Sequence, residues 1–187
     1  MKFTKTITSI LTVATLIGCT NRTNVISDPS DREQVAAQIQ VVKDDFNGSS
    51  ILQGPVIQTE NNGLLHIDKT HVNLIRSNGK TFLKVYTQHS SKGWKFIETV
   101  ETPDGIKTPL VELRREISLC GTSVGCIHEE LGFAPVGDLS PNNDLRVRIN
   151  AQRWGSSIVT IPTAYICLLY TSPSPRDQRG SRMPSSA

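Results

Sequence analysis

The stretch His71-Val72-Asn73-Leu74-Ile75-Arg76-Ser77, then Asn78-Gly79, then Lys80-Thr81-Phe82-Leu83-Lys84-Val85-Tyr86-Thr87-Gln88 decides the fold class. Asn-Gly suits the two positive φ values of a type I′ turn, whose twist matches that of the strands it joins. The second arm alternates, placing Phe82, Lys84 and Tyr86 on one face and Leu83 and Val85 on the other. A period of two with one apolar face is a strand lying on a core. These residues therefore read as a β-hairpin.

Working outward, the same alternation recurs in short runs between turn residues. Ser90-Ser91-Lys92-Gly93 precedes a strand expected over 94–100, and Pro103-Asp104-Gly105 turns into another over 111–119. Three turns in series predict a meander. Further strands are expected over 127–133, 145–149 and 158–162, the last at an edge because of Pro162. Upstream, residues 50–58 contain Gly54-Pro55, which reduces that run to an edge or bulged strand. Ser30-Asp31-Arg32-Glu33 reads as a capping box, and Val35, Ala36, Ile39 and Val42 follow at helical spacing, predicting a helix over 31–42. With no internal repeat and no βαβ alternation, the expected fold is mainly β. It is an antiparallel β-sandwich or curved meander sheet with one short N-terminal helix.

The ends of the chain read differently. Lys2 and Lys5 precede an apolar run over 7–17, the length of a signal-peptide core and too short for a bilayer span, which takes roughly 20 residues. Leu16-Ile17-Gly18-Cys19 resembles the lipobox of bacterial lipoproteins. The resemblance implies cleavage after residue 18, lipidation of Cys19, and a membrane partner reached through acyl chains. With Thr20 where an Asp would retain such a protein in the inner membrane, the expected address is the periplasmic face of the outer membrane. The cell surface and the inner membrane are the alternatives. Residues 19–30 then serve as the lipidated Cys and a polar tether, and 31–166 as a single β-rich domain. Cys167-Leu168-Leu169-Tyr170-Thr171-Ser172 looks like the translation of a transposon-based sequencing adapter. Ser181 to Ala187 looks like the same adapter's outer arm. Residues 167–187 are accordingly expected to be adapter-derived, and the domain to lack a last strand.

The whole chain carries 20 Lys and Arg against 17 Asp and Glu. Leaving out the leader and the adapter-like residues lowers this to 15 against 16. The positive balance belongs to the ends, so bulk charge gives no argument for a nucleic-acid partner. Of four cysteines, Cys120 and Cys126 remain for the domain, and an oxidising compartment predicts one disulfide between them. Gly121 and Gly125 allow the short intervening loop to turn. A redox or metal role would need C-x-x-C spacing or further ligands, and His128 alone is near.

The common nucleophile-elbow, phosphate-loop, dinucleotide and zinc-protease motifs are absent. Ser77-Asn78-Gly79-Lys80 has the S-x-x-K spacing of penicillin-binding enzymes, but on a hairpin turn rather than a helix. His66, Asp68 and His71 read as solvated residues between strands, His89 as a turn residue, and His128-Glu129-Glu130 as a charged flank of the disulfide loop. No catalytic residue, metal ligand or cofactor is expected. An envelope hydrolase or metal-dependent enzyme using these His and Glu residues is the alternative. Arg114, Arg115, Arg146, Arg148 and Arg153, with Trp154, form the candidate binding surface if strands 111–119 and 145–149 are neighbours. Such a strip would meet anionic headgroups, an envelope protein or a carboxylate-rich wall polymer. Pairing with Glu112, Glu116, Glu129 and Glu130 is the plainer account of those arginines. Trp94 and Trp154 read equally as core or as contact surface.

The order Gly54-Pro55, Trp94-Lys95-Phe96-Ile97, Arg115-Glu116-Ile117, Cys120, Gly125-Cys126, Glu130, Gly155 and Ile161-Pro162 resembles a group of small bacterial lipoproteins of unknown function. The likeness covers most of residues 45–166. It implies the β fold and the disulfide and no activity. The expected function is that of a lipid-anchored envelope lipoprotein with a binding or structural domain.

Overall fold

The computed structural model describes residues 25–43, 50–60, 68–90, 93–121, 125–137, 139–140, 142–153 and 155–171. In chain order the elements are α1 (Arg32–Gln38), β1 (Gln40–Lys43), β2 (Ser50–Gln53), β3 (Ile57–Glu60), β4 (Asp68–Ser77), β5 (Lys80–Ser90) and β6 (Ile97–Glu101). They continue with β7 (Lys107–Pro109), β8 (Val111–Gly121), β9 (Gly125–Pro135), β10 (Leu145–Ala151), β11 (Ser157–Ile161) and α2 (Thr163–Thr171). The protein is mainly β, and its described strand pairs are antiparallel but for one isolated bridge, Val25 with Val56.

The hairpin forms as its sequence dictates. Asn78 and Gly79 take φ of 50° and 76°, and β4 pairs β5 from Ser77↔Lys80 to Asp68↔His89. Along β5 burial alternates, with Thr81, Leu83, Val85, Thr87 and His89 buried and the residues between them partly exposed. The first sheet has the order β1-β2-β4-β5-β9-β8, with β3 also on β4; the second has the order β11-β10-β6-β7. The chain leaves the first sheet after β5, builds β6 and β7 in the second, and returns as β8 and β9. The successive turns therefore do not make a meander, and the arrangement is that of a two-sheet sandwich. Val72, Leu74, Leu83, Val85 and Ala134 from one sheet share a single core with Ile97, Val100, Val147, Ile149, Val159 and Ile161 from the other. Burying each Val, Leu or Ile among them contributes about 1.5–3 kcal/mol.

Two expectations shift at the N-terminal side. The helix ends at Gln38 because the β-branched run after it pairs as β1 against β2, the conformation such side chains prefer. Its cap is Asp31 rather than Ser30: Asp31 Oδ1 accepts from the Glu33 and Gln34 amides at 2.9 and 3.2 Å.

The Gly54-Pro55 break has a specific repair. β2 pairs β4 at residues 75–77 and β3 pairs it at 69–72, leaving a gap opposite Asn73 and Leu74. Tyr165, from α2, fills it: its hydroxyl accepts from Leu74 N at 3.3 Å and donates to Pro55 O at 2.7 Å. A Cβ on residue 54 would lie 2.6 Å from Tyr165 Cζ, so only glycine lets the ring through. The helix α2 itself was not expected. The residues after β11 turn at Pro162 and bury Tyr165, Ile166 and Leu169 against the core and α1 instead of adding a strand. Five of its residues, 167–171, fall in the adapter-like stretch, and among them Leu169 is fully buried. No helix among the described residues is long and apolar enough to cross a membrane.

Candidate functional site

One end of the sandwich replaces aliphatic core with polar side chains. On the inward face Asp68, Thr70, Thr87, His89, Glu130 and His128 succeed the leucines and valines of the same strands. The segment 93–96 closes over them. It is not the strand expected there, because Phe96 takes φ of 58° and breaks the alternation. Lys95 is consequently buried and pairs with Asp68. Glu130, 1 % exposed, accepts from Phe96 N at 2.8 Å, Ile97 N at 3.1 Å and Arg115 Nε at 3.1 Å. A carboxylate bonded to two amides and a guanidinium is held in place by charge-assisted bonds. Here it clamps a left-handed residue at the start of β6. The backbone of 95 and 96 is also fixed by Arg153 N and Gln152 N, which donate to Lys95 O and Phe96 O.

The opposite face of the same strands carries a second polar row. His71 Nε2 meets Gln58 Oε1 at 2.8 Å, and its ring stacks on Tyr86 at 5.6 Å. Burial first, and then the charge of Lys69, hold the His71 pKa below the usual imidazole value. Glu129 accepts from Gln88 at 3.0 Å. Burial alone would raise its pKa, but hydrogen bonds from Ser118, Gln88 and Tyr86 outweigh it and leave the carboxyl below the ordinary glutamate value. Tyr86 is pushed up by burial and by its hydrogen bond to Glu129.

These placements separate the residues the sequence grouped. Asp68 and His71 lie on opposite faces of β4, and His66 lies outside the described residues. His128 and Glu130 face inward while Glu129 faces outward, so the three make no acid/base cluster. They belong to β9 and are not the flank of an exposed loop. Ser77 and Lys80 face each other as the closing pair of the hairpin. Among the described residues no group of three or more His, Cys, Asp or Glu could hold a metal ion. Cys120 and Cys126 are joined, facing across the β8–β9 ladder with Cα atoms 4.0 Å apart. Trp94 is half-buried, edge-on to His128 at 4.9 Å; Trp154 and the side chain of Glu112 lie outside the described residues.

The arginine strip does not form, because β8 and β10 belong to different sheets. It resolves into two groups and one solitary residue. Arg115 and Arg153 lie over the Phe96 ring, 5.1 and 5.4 Å from its centroid. Such contacts contribute about 0.5–1 kcal/mol each at exposed positions. Arg146 and Arg148 project from the exposed face of β10 beside an open depression of about 260 Å³, lined also by Glu101, Thr102, Pro103, Val147 and Ile158. Arg148 meets Glu101 at 3.7 Å, a loose and solvent-exposed pair worth little. Arg114 stands alone on the exposed edge strand β8. The depression can take an anionic group by exchange of the Glu101 contact for a bidentate one.

What the sequence reading missed is Lys95 and the structural use of Glu130. Both depend on the left-handed turn at Phe96, which no local residue type signals. Compared with protein-family models, with curated proteins and with solved structures, the chain matches none.

Proposed function

We propose that this protein is a lipid-anchored lipoprotein of the bacterial envelope. In this reading its β-sandwich is a non-catalytic binding module held at the periplasmic face of the outer membrane. The observation that carries the reading is the lipobox Leu16-Ile17-Gly18-Cys19 ahead of a polar tether and a β-rich domain. The chemistry of the domain supports binding over catalysis, since Glu130, Glu129, His71, Asp68 and Lys95 are all engaged in bonds within the fold. Arg146 and Arg148 are the groups still offered to solvent beside a depression, and they suit a carboxylate-bearing partner, either an envelope protein or the cell wall.

Intact mass of the full chain extracted from membranes tests the anchor. The expected product begins at a triacylated Cys19, and Cys19→Ser leaves a chain without the acyl mass. An unlipidated wild-type chain overturns the anchor. Cosedimentation with isolated cell-wall sacculi, and crosslinking in intact envelopes, test the module. Arg146→Glu with Arg148→Glu should abolish retention by whichever partner is found, and unchanged retention overturns that surface.

A further inference from the structure

Of the sheet edges among the described residues, β1 and β3 have four residues each, β7 three and β11 five, whereas β8 has eleven. A long edge strand presents a row of backbone donors and acceptors to any strand that can pair with it, and short edges, bulges and charges are the usual protections. β8 has bulges between Val111 and Arg114 and between Ile117 and Leu119, which leave a regular segment, Arg114–Ile117, between them. From Arg114 to Gly121 every residue is exposed, so the outer edge of the β8–β9 ribbon is open to solvent along this stretch. Ile117 and Leu119 are 54 % and 63 % exposed there.

We propose that β8 is a homodimer interface, pairing antiparallel with β8 of a second copy about a two-fold axis through Arg115 and perpendicular to the sheet. That axis keeps inward faces with inward faces, and it sets Arg114 opposite the partner's Glu116 and Glu116 opposite the partner's Arg114. It also sets Leu113 opposite the partner's Ile117, and brings Leu119 towards the partner's Val111. Moving the centre one residue to Arg114 puts Glu112 opposite the partner's Glu116, and moving it to Glu116 puts that carboxylate opposite itself. The sequence of the strand is thus self-complementary in one register.

Two features of the single chain agree with it. Glu116 lies directly opposite Glu129 within the β8–β9 ladder, a like-charge pairing that a guanidinium on its other side would offset. Arg115, which meets its own symmetry mate at the axis, is turned inward onto Glu130 and the Phe96 ring, so its charge is already countered. The disulfide between Cys120 and Cys126 fixes the tip of the ribbon and holds the edge in one shape for docking.

The test uses the chain from residue 19 onward carrying Cys19→Ser and exported behind a cleavable leader, which removes the lipid and leaves β8 intact, in sedimentation equilibrium across a concentration series. The expected result is a monomer–dimer equilibrium. Glu116→Arg or Arg114→Glu alone should weaken it roughly tenfold or more, because each places two like-charge pairs across the axis. The double variant Arg114→Glu with Glu116→Arg should restore it. Circular dichroism of each variant should match the parent, since both side chains are exposed. A parent that stays monomeric at all concentrations overturns the proposal. So does a dimer indifferent to the single swaps, or a double swap that fails to recover association.

Discussion

His71 illustrates how a residue that looks like a ligand is used as a neutral spacer. Its Nε2–H donates to Gln58 and its ring stacks on Tyr86, while Nδ1 is buried with no hydrogen-bond partner among the described residues. Burial chiefly, and then the charge of Lys69, disfavour a second proton on the ring and depress the folded pKa. A folded pKa below the unfolded value means the unfolded chain binds more protons between the two. The contribution is therefore complete above the unfolded value of about 6.5 and is lost as pH falls through the folded one. The melting temperature should drop between pH 7 and pH 5, and His71→Gln, which keeps an amide donor for Gln58, should flatten that segment of the profile. An unchanged slope in the variant would assign the acid sensitivity elsewhere.

At the scale of elements, α2 acts through one side chain. Because Pro55 has no amide and Gly54 begins the break, β4 would face that gap with an unpaired Leu74 amide. The Tyr165 hydroxyl supplies both the acceptor and the donor. Tyr165→Phe keeps the ring and removes the hydroxyl, leaving the Leu74 amide and the Pro55 carbonyl buried and unsatisfied at a cost of about 1–3 kcal/mol. Gly54→Ala should cost at least as much by driving the ring out of its slot. Urea denaturation of both variants and of their combination checks this. The combined loss should fall short of the sum, since the two act on one contact. None of this was legible in the sequence. Gly54-Pro55 announced a break in a strand, but its repair comes from a residue 110 positions away. The β4–β5 hairpin, by contrast, was legible from His71 to Gln88, because Asn78-Gly79 and the alternation beside it are local; its strands run on to Asp68 and Ser90, which read as loop and turn residues. The arginine strip failed for the same reason the repair was missed. Alternation shows which face of a strand a residue occupies, and not which sheet the strand joins.

Over the whole molecule, the two sheets share an aliphatic core at one end and a polar closure at the other. The Lys95–Asp68 pair belongs to that closure. It binds the segment leading into the second sheet to β4 of the first, across a boundary also crossed here by the Glu130 clamp, the Trp94–His128 and Arg115–Phe96 contacts and the contact of Thr70 with Ser157. The two partners are not equally buried: the Lys95 side chain is 5 % exposed and that of Asp68 18 %. Removing the carboxylate strands an ammonium with almost no water, so Asp68→Leu should cost about 3–5 kcal/mol, as breaking a buried pair does. Lys95→Met strands a carboxylate that solvent can still reach, and its cost should be smaller, about 2 kcal/mol. Replacing both by apolar residues removes the desolvation penalty along with the attraction, so the double variant should be more stable than Asp68→Leu alone. Urea unfolding of the four proteins closes the cycle. Equal costs for the single variants, or losses that simply add, would mean that the closure is held by Glu130 and the backbone, and that the ion pair is incidental to joining the sheets.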